Sequence, residues 1–140
     1  MTKGSSRFPY RHLFGEQELQ CVSCVFEESW KNQQDFGYQG QFESAYNSAF
    51  SAFQGGGHAD AVCSGTVAVF LALSALEIPK HSDVITSPVT DPGCVSAIVL
   101  LGHKPIVADA KPNSFNVGLE QFSNAITPQT KAAVLTHLGG

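Results

Sequence analysis

A chain of 140 residues with 43% hydrophobic and 14% charged side chains is long enough for one domain with a substantial core and too short for two. Lys and Arg number 8 against 12 Asp and Glu, a formal charge of −4 with no basic run, which excludes nucleic acid or an anionic membrane as the main partner. Charges interrupt the apolar positions between Gly15 and Glu28, so the N-terminal stretch lacks the layout of a secretory leader and a cytoplasmic address is expected.

Residues 1 to 12 are polar and irregular and read as a loose arm. Apolar positions at Leu19, Val22, Val25 and Phe26 predict a helix from Glu16 to Trp30. A Gln- and Gly-rich connector covers Asn32 to Gly40. Phe42, Tyr46, Ala49, Phe50 and Phe53 then recur at the three- and four-residue spacing of a second amphipathic helix. Gly55-Gly56-Gly57 ends it and reads as a connector, because no phosphate loop of its own follows.

From there the pattern alternates. A short strand is predicted at Ala61 to Cys63, a helix from Ser64, a strand at Val84 to Ser87 and a helix at Val95 to Leu101. A strand at Pro105 to Ala108, a short helix at Leu119 to Ala125 and a strand at Ala132 to Thr136 complete the series. Strands separated by helices need crossover connections, which predicts a three-layer α/β/α arrangement with a mainly parallel sheet. Ligands on such sheets gather at the carboxyl ends of strands. The Ser64-Gly65-Thr66 step, the Pro88 to Gly93 loop and the His137-Leu138-Gly139 exit all fall at such ends.

The stretch from Val62 to Leu76 carries the most chemistry. Ser64 suits a helix N-cap, and Gly65 lets another group approach the backbone closely. First-turn N–H groups without intrahelical partners, aided by the positive end of the macrodipole, can hold a phosphate, to which Ser64 and Thr66 add hydroxyl donors. The alternative is a plain capped helix. The run from Val67 to Leu76 is apolar almost all round, which predicts a helix buried between layers and is too short to span a membrane.

The same stretch belongs to an ordered set. Ser64-Gly65-Thr66 is followed by Asp83-Val84-Ile85-Thr86-Ser87-Pro88, by Gly102-His103-Lys104-Pro105-Ile106-Val107-Ala108-Asp109, by Ile126-Thr127-Pro128-Gln129-Thr130-Lys131-Ala132 and by Thr136-His137-Leu138-Gly139. Upstream stand Phe14-Gly15-Glu16-Gln17-Glu18-Leu19 and Gly40-Gln41-Phe42-Glu43. Together they resemble the N-terminal part of the large domain of the DegT/DnrJ/EryC1/StrS aminotransferases, pyridoxal-phosphate enzymes of fold type I. The resemblance implies an arm with two helices over residues 1–54 and half of a cofactor-binding domain over residues 55–140. It also implies a homodimer that moves an amino group from glutamate or glutamine to a keto-sugar nucleotide or keto-cyclitol.

That cofactor needs a Schiff-base lysine, a carboxylate facing its pyridine nitrogen, an anion cradle and a group packed on the ring. By resemblance Gly65 and Thr66, with Ser64, supply the cradle, and the ring-face position falls between Pro88 and Cys94. Many relatives carry an aromatic residue there, whereas this chain has Pro92, which can cover a ring by van der Waals contact. Asp91 reads as a cofactor neighbour or as a turn residue ahead of Pro-Gly, and His137 as a pocket residue or a structural one. The family's pyridine-facing Asp and Schiff-base Lys lie downstream of the His-x-x-Gly step, so these residues are expected to be an inactive fragment of a longer enzyme. Lys80, Lys104, Lys111 and Lys131 read as solvated surface charges.

Other readings stand beside this one. The chain is alternatively a non-catalytic α/β phosphate-binding or interaction module. Cys21 and Cys24 form a C-x2-C that suggests redox or metal chemistry, but they lie in a helical pattern without a second pair, so no metal site is expected and the thiols read as small buried hydrophobes. Asp109 is expected to order the turn before Lys111-Pro112-Asn113. The aromatics from Phe36 to Phe53 either form an interface or pack among the early helices. The strand at Ala132 to Thr136 is expected at a sheet edge, inviting self-association.

Overall fold

The computed structural model describes residues 14–139 and divides into two compact units, Met1–Ala61 and Val62–Gly140. The loose arm expected over residues 1 to 12 lies outside the described residues. The first unit holds α1 (Glu16–Asn32) and α2 (Gln41–Phe53). At the start of α1 the Gly15 N–H donates to the Glu18 carboxylate at 2.7 Å. This is the half of a capping box that glycine, with no side chain, permits, and the bond holds the Glu18 carboxyl below its ordinary range. After α2, Asn47 Nδ2 donates to Asp60 Oδ1 at 3.4 Å and Ser51 Oγ to the Gly57 carbonyl at 2.8 Å. These bonds tie the glycine-rich exit back onto the helix it leaves, so the division between units falls at Ala61.

The second unit runs α3 (Gly65–Ser74), β1 (Asp83–Thr86), α4 (Pro92–Leu100), β2 (Lys104–Val107), α5 (Leu119–Ala125) and β3 (Thr130–Val134). The three strands form a parallel sheet in the order β2-β1-β3, with Ile85 opposite Ile106 on one side and Ala133 on the other. All four residues of β1 are buried, as a central strand covered on both faces requires. Val84 meets Leu73, Ala97 and Ile98 in the core cluster, while alternation turns Ile85, equally buried, to the opposite face. The step from β1 to β2 runs one way across the sheet and the step from β2 to β3 runs back past β1. Right-handed crossovers therefore set α4 and α5 on opposite faces. Asp83 opens β1 with its carboxylate accepting the Thr127 hydroxyl at 2.7 Å, next to a register irregularity between β1 and β3.

Several expectations are corrected. Ala61 to Cys63 is not a strand: no strand of the sheet pairs with it, and three residues without ladder bonds do not hold extended structure. Helix α3 is not buried all round. It packs chiefly on α4, so one stripe is covered, with Leu73 buried and Val69 and Phe70 partly so, while Leu71, and Leu76 just past the helix end, remain exposed. Helix α4 begins at Pro92, three residues before the predicted start, and β3 begins at Thr130, two residues early. β3 is a sheet edge as expected, but β2 is the other. The cysteines are not buried: Cys21, Cys24 and Cys63 are exposed and Cys94 is partly covered. All four lysines of this unit are exposed, and Asp109 accepts the Ala110 N–H at 2.7 Å, ordering its turn.

Candidate functional site

Two helices of the second unit start beside the same cleft. Ser64 is extended (φ −161°, ψ 158°), its Oγ accepts the Val67 N–H at 3.2 Å and its carbonyl accepts the Ala68 N–H at 3.0 Å. The cap thus satisfies the third N–H of α3 and leaves those of Gly65 and Thr66 without an acceptor among the described residues. A Cβ on Gly65 would meet nothing within 4 Å, so the backbone here is open to a ligand. Helix α4 starts with Asp91 at the N-cap and Pro92 in the first position, where a missing N–H costs nothing. The Asp91 carboxylate makes no capping bond.

The cleft between these starts has a volume of about 600 Å³ and is lined by Gly65, Thr66 and Val69 from α3 and by Asp91, Pro92, Gly93 and Cys94. Its closeness depends on Gly93. A Cβ there would overlap Thr66 Oγ1 and lie 3.3 Å from Thr66 Cβ, so only glycine lets the first turn of α4 sit against Thr66. Each helix start carries roughly half a positive charge, and the two add in one place. The cleft therefore offers free backbone N–H groups, the Thr66 hydroxyl and a positive field, with Asp91 the single charged side chain on its wall among the described residues. This donor set suits a phosphate group, with a carboxylate to one side of it.

A second groove, of about 400 Å³, lies in the first unit between the end of α1 and the connector to α2. Its wall carries the carboxylates of Glu28 and Asp35 and no cationic side chain, so it does not suit an anion.

Of the residues singled out by sequence, the structure brings Gly65, Thr66, Asp91 and Pro92 together on the cleft wall. Ser64 stands next to it with its oxygen engaged in the cap. His137 is exposed, three residues beyond β3, and is not among the lining residues. Sequence reading missed Val69 as a wall residue and reached Gly93 and Cys94 only as part of the stretch from Pro88 to Cys94, not as the start of a helix. The signal for the last two was an Asp-Pro pair, which marks a helix start as readily as a turn. It also missed Thr136, whose N–H donates to Ser87 Oγ at 2.8 Å and whose hydroxyl lies 2.7 Å from that of Thr90.

Residues 17–140 match the DegT/DnrJ/EryC1/StrS aminotransferase family. The chain belongs to this family. It is 38% identical over 128 residues to the spore coat polysaccharide biosynthesis protein SpsC of Bacillus subtilis (strain 168), covering 91% of this chain and 31% of SpsC. The X-ray structure of the aminotransferase from Psychrobacter cryohalolentis matches with a TM-score of 0.81 at 29% identity, over 95% of this chain and 33% of that one. NtdA from Bacillus subtilis, solved with bound cofactor PMP, shares the fold at 23% identity (TM-score 0.76, 86% of this chain and 27% of that one). The chain thus spans about a third of the length of the relatives it matches. The ordered motifs identified the family correctly, and the parallel α/β architecture is that of these aminotransferases.

Proposed function

We propose that this chain supplies the phosphate-binding part of a cytoplasmic, homodimeric pyridoxal-phosphate aminotransferase. The whole enzyme moves an amino group from glutamate or glutamine to a keto-sugar nucleotide or keto-cyclitol, in polysaccharide or secondary-metabolite biosynthesis. The observation that carries the reading is the convergence of the α3 and α4 starts on one cleft, with the N–H groups of Gly65 and Thr66 free and open. Membership of an aminotransferase family, the polysaccharide role in the name of SpsC and the PMP held by NtdA support it.

Bound here, the cofactor supplies a cationic ring that takes up an electron pair released at the substrate carbon. Gly65 and Thr66 hold its phosphate through their N–H groups and the Thr66 hydroxyl, and Ser64 retains a hydroxyl proton to donate while its oxygen caps α3. Pro92 offers a flat apolar face to the ring, and Asp91 sets a negative charge on the wall of the same cleft. We assign His137 to the outer rim. None of the described wall residues is a lysine.

Titration of the chain with pyridoxal phosphate, followed by cofactor absorbance, tests this. Thr66→Val removes one hydroxyl donor to an anion, worth roughly 1.5–3 kcal/mol, so the dissociation constant rises about ten- to a hundred-fold. Inorganic phosphate competes in the native chain. An unchanged dissociation constant in the variant leaves Ser64-Gly65-Thr66 as a helix cap and nothing more.

A further inference from the structure

We infer that Thr136 is a positioning residue, clamping the start of α4 in the place where its first turn forms the wall of the cleft. Every polar group of Thr136 is turned to the β1–α4 connection. Its N–H donates to Ser87 Oγ at 2.8 Å, and its carbonyl accepts from the same hydroxyl at 3.4 Å. Its own hydroxyl lies 2.7 Å from Thr90 Oγ1 and 3.9 Å from Cys94 Sγ. Ser87 leaves β1, Thr90 precedes the N-cap of α4, and Cys94 is in its first turn.

The start of α4 needs such a hold. Asp91 does not cap it, and Pro92 gives it no N–H, so the first turn lacks the side-chain bond that fixes α3. On one side the turn rests on Thr66 through Gly93. On the other, the Thr136 hydroxyl links it by side-chain bonds to the exit of β3, across 46 residues of sequence to Thr90, in addition to the packing of later α4 residues on the sheet. Thr136 is two residues past the end of β3, the strand that pairs with β1. It therefore transmits the position of that strand to a helix start that has no side-chain cap of its own. Thr90 and Thr136 are both part-buried, so losing the Thr136 hydroxyl takes from Thr90 the side-chain partner it has here, while losing that of Thr90 leaves Thr136 only the weaker contact with Cys94.

The effect on the cleft rests on the phosphate-site reading above; the clamp itself does not, and the test separates them. In Thr136→Val, which keeps the shape and removes the hydroxyl, amide exchange over residues 90–95 and alkylation of Cys94 by iodoacetamide, mapped by mass spectrometry, rise roughly three- to ten-fold, as expected for one lost hydrogen bond. The pyridoxal phosphate dissociation constant rises by a similar factor. Thr136→Ser keeps the hydroxyl and restores all three readouts to within about two-fold. Thr90→Ala, which cuts the same bond from the loop side, reproduces the loosening even if Thr136→Val fails to fold. Loosening of residues 90–95 in a native background that binds no pyridoxal phosphate supports the clamp and overturns the cofactor reading. Cofactor binding that is tight in every variant, with exchange at residues 90–95 unchanged or raised equally throughout the sheet, overturns the clamp.

Discussion

Replacing Gly93 with Ala sets two known effects against each other. Ala in a helix gains up to about 1 kcal/mol over Gly through reduced backbone freedom. The new Cβ, however, would overlap Thr66 Oγ1 and stand 3.3 Å from Thr66 Cβ and 3.4 Å from Thr66 Cα. Carbon atoms rest comfortably about 3.5–4.0 Å apart. Rotating the Thr66 side chain removes the overlap with the hydroxyl but not the two carbon contacts, so α3 and α4 must also part by a few tenths of an ångström. Overpacking of this kind costs about 1–3 kcal/mol, which outweighs the helical gain and leaves a net loss of roughly 0–2 kcal/mol. The displaced Thr66 hydroxyl lowers cofactor affinity by about ten-fold. Urea unfolding followed by circular dichroism gives the first quantity and pyridoxal phosphate titration the second. In the double variant Thr66→Ala with Gly93→Ala the hydroxyl is gone, so the stability losses are less than additive. A Gly93→Ala chain that is more stable than native and binds as tightly refutes the close-approach argument.

Asp91→Asn removes the carboxylate from the cleft wall. Phosphate then binds roughly two- to five-fold more tightly at low salt, from a Coulomb repulsion of about 0.5–1 kcal/mol across water, and the gain fades as salt is added. The same change weakens the start of α4 by about 0.3–1 kcal/mol in urea unfolding, because a negative charge there favours the helix dipole. Ser64→Ala costs about 0.5–2 kcal/mol by the same measurement, through loss of the bond to the Val67 N–H. At the start of α1, the folded-state pKa of Glu18 lies below its unfolded value. The Gly15–Glu18 bond therefore contributes fully above the unfolded carboxylate range and is lost as pH falls through the lowered pKa. The Gly15 amide proton chemical shift titrates across that window on acidification and does so no longer in Glu18→Gln.

The elements most legible in the sequence were those whose pattern is local. The bounds of α5 and the cap at Ser64 were read to the residue, because a Ser before an apolar run and a short amphipathic stretch each carry their own signal. What failed depended on distant partners. Ala61 to Cys63 has a strand-like composition but finds no neighbour to pair with. The apolar girth of α3 promised burial, yet only the stripe meeting α4 is covered. Pro92 was placed in a loop because Asp-Pro-Gly reads equally as a turn, and only the packing of Gly93 on Thr66 identifies it as a helix start. Thr136 gave no local sign of a role, since its bonding partners lie 42 to 49 residues away.

The central position of β1 also constrains how the second unit is built as the chain is synthesised. β1 and β2 emerge close together, with α4 between them, and can pair early from largely local contacts. The other flank of β1 is filled by β3, which pairs Ile85 with Ala133 and so cannot form until those later residues have left the ribosome. Until then the most deeply buried strand of the sheet presents a bare edge, the state in which nascent chains are most prone to pair with the wrong neighbour or to need a chaperone. Pairing across such a sequence separation is slow, so docking of β3 is the step expected to limit the folding rate.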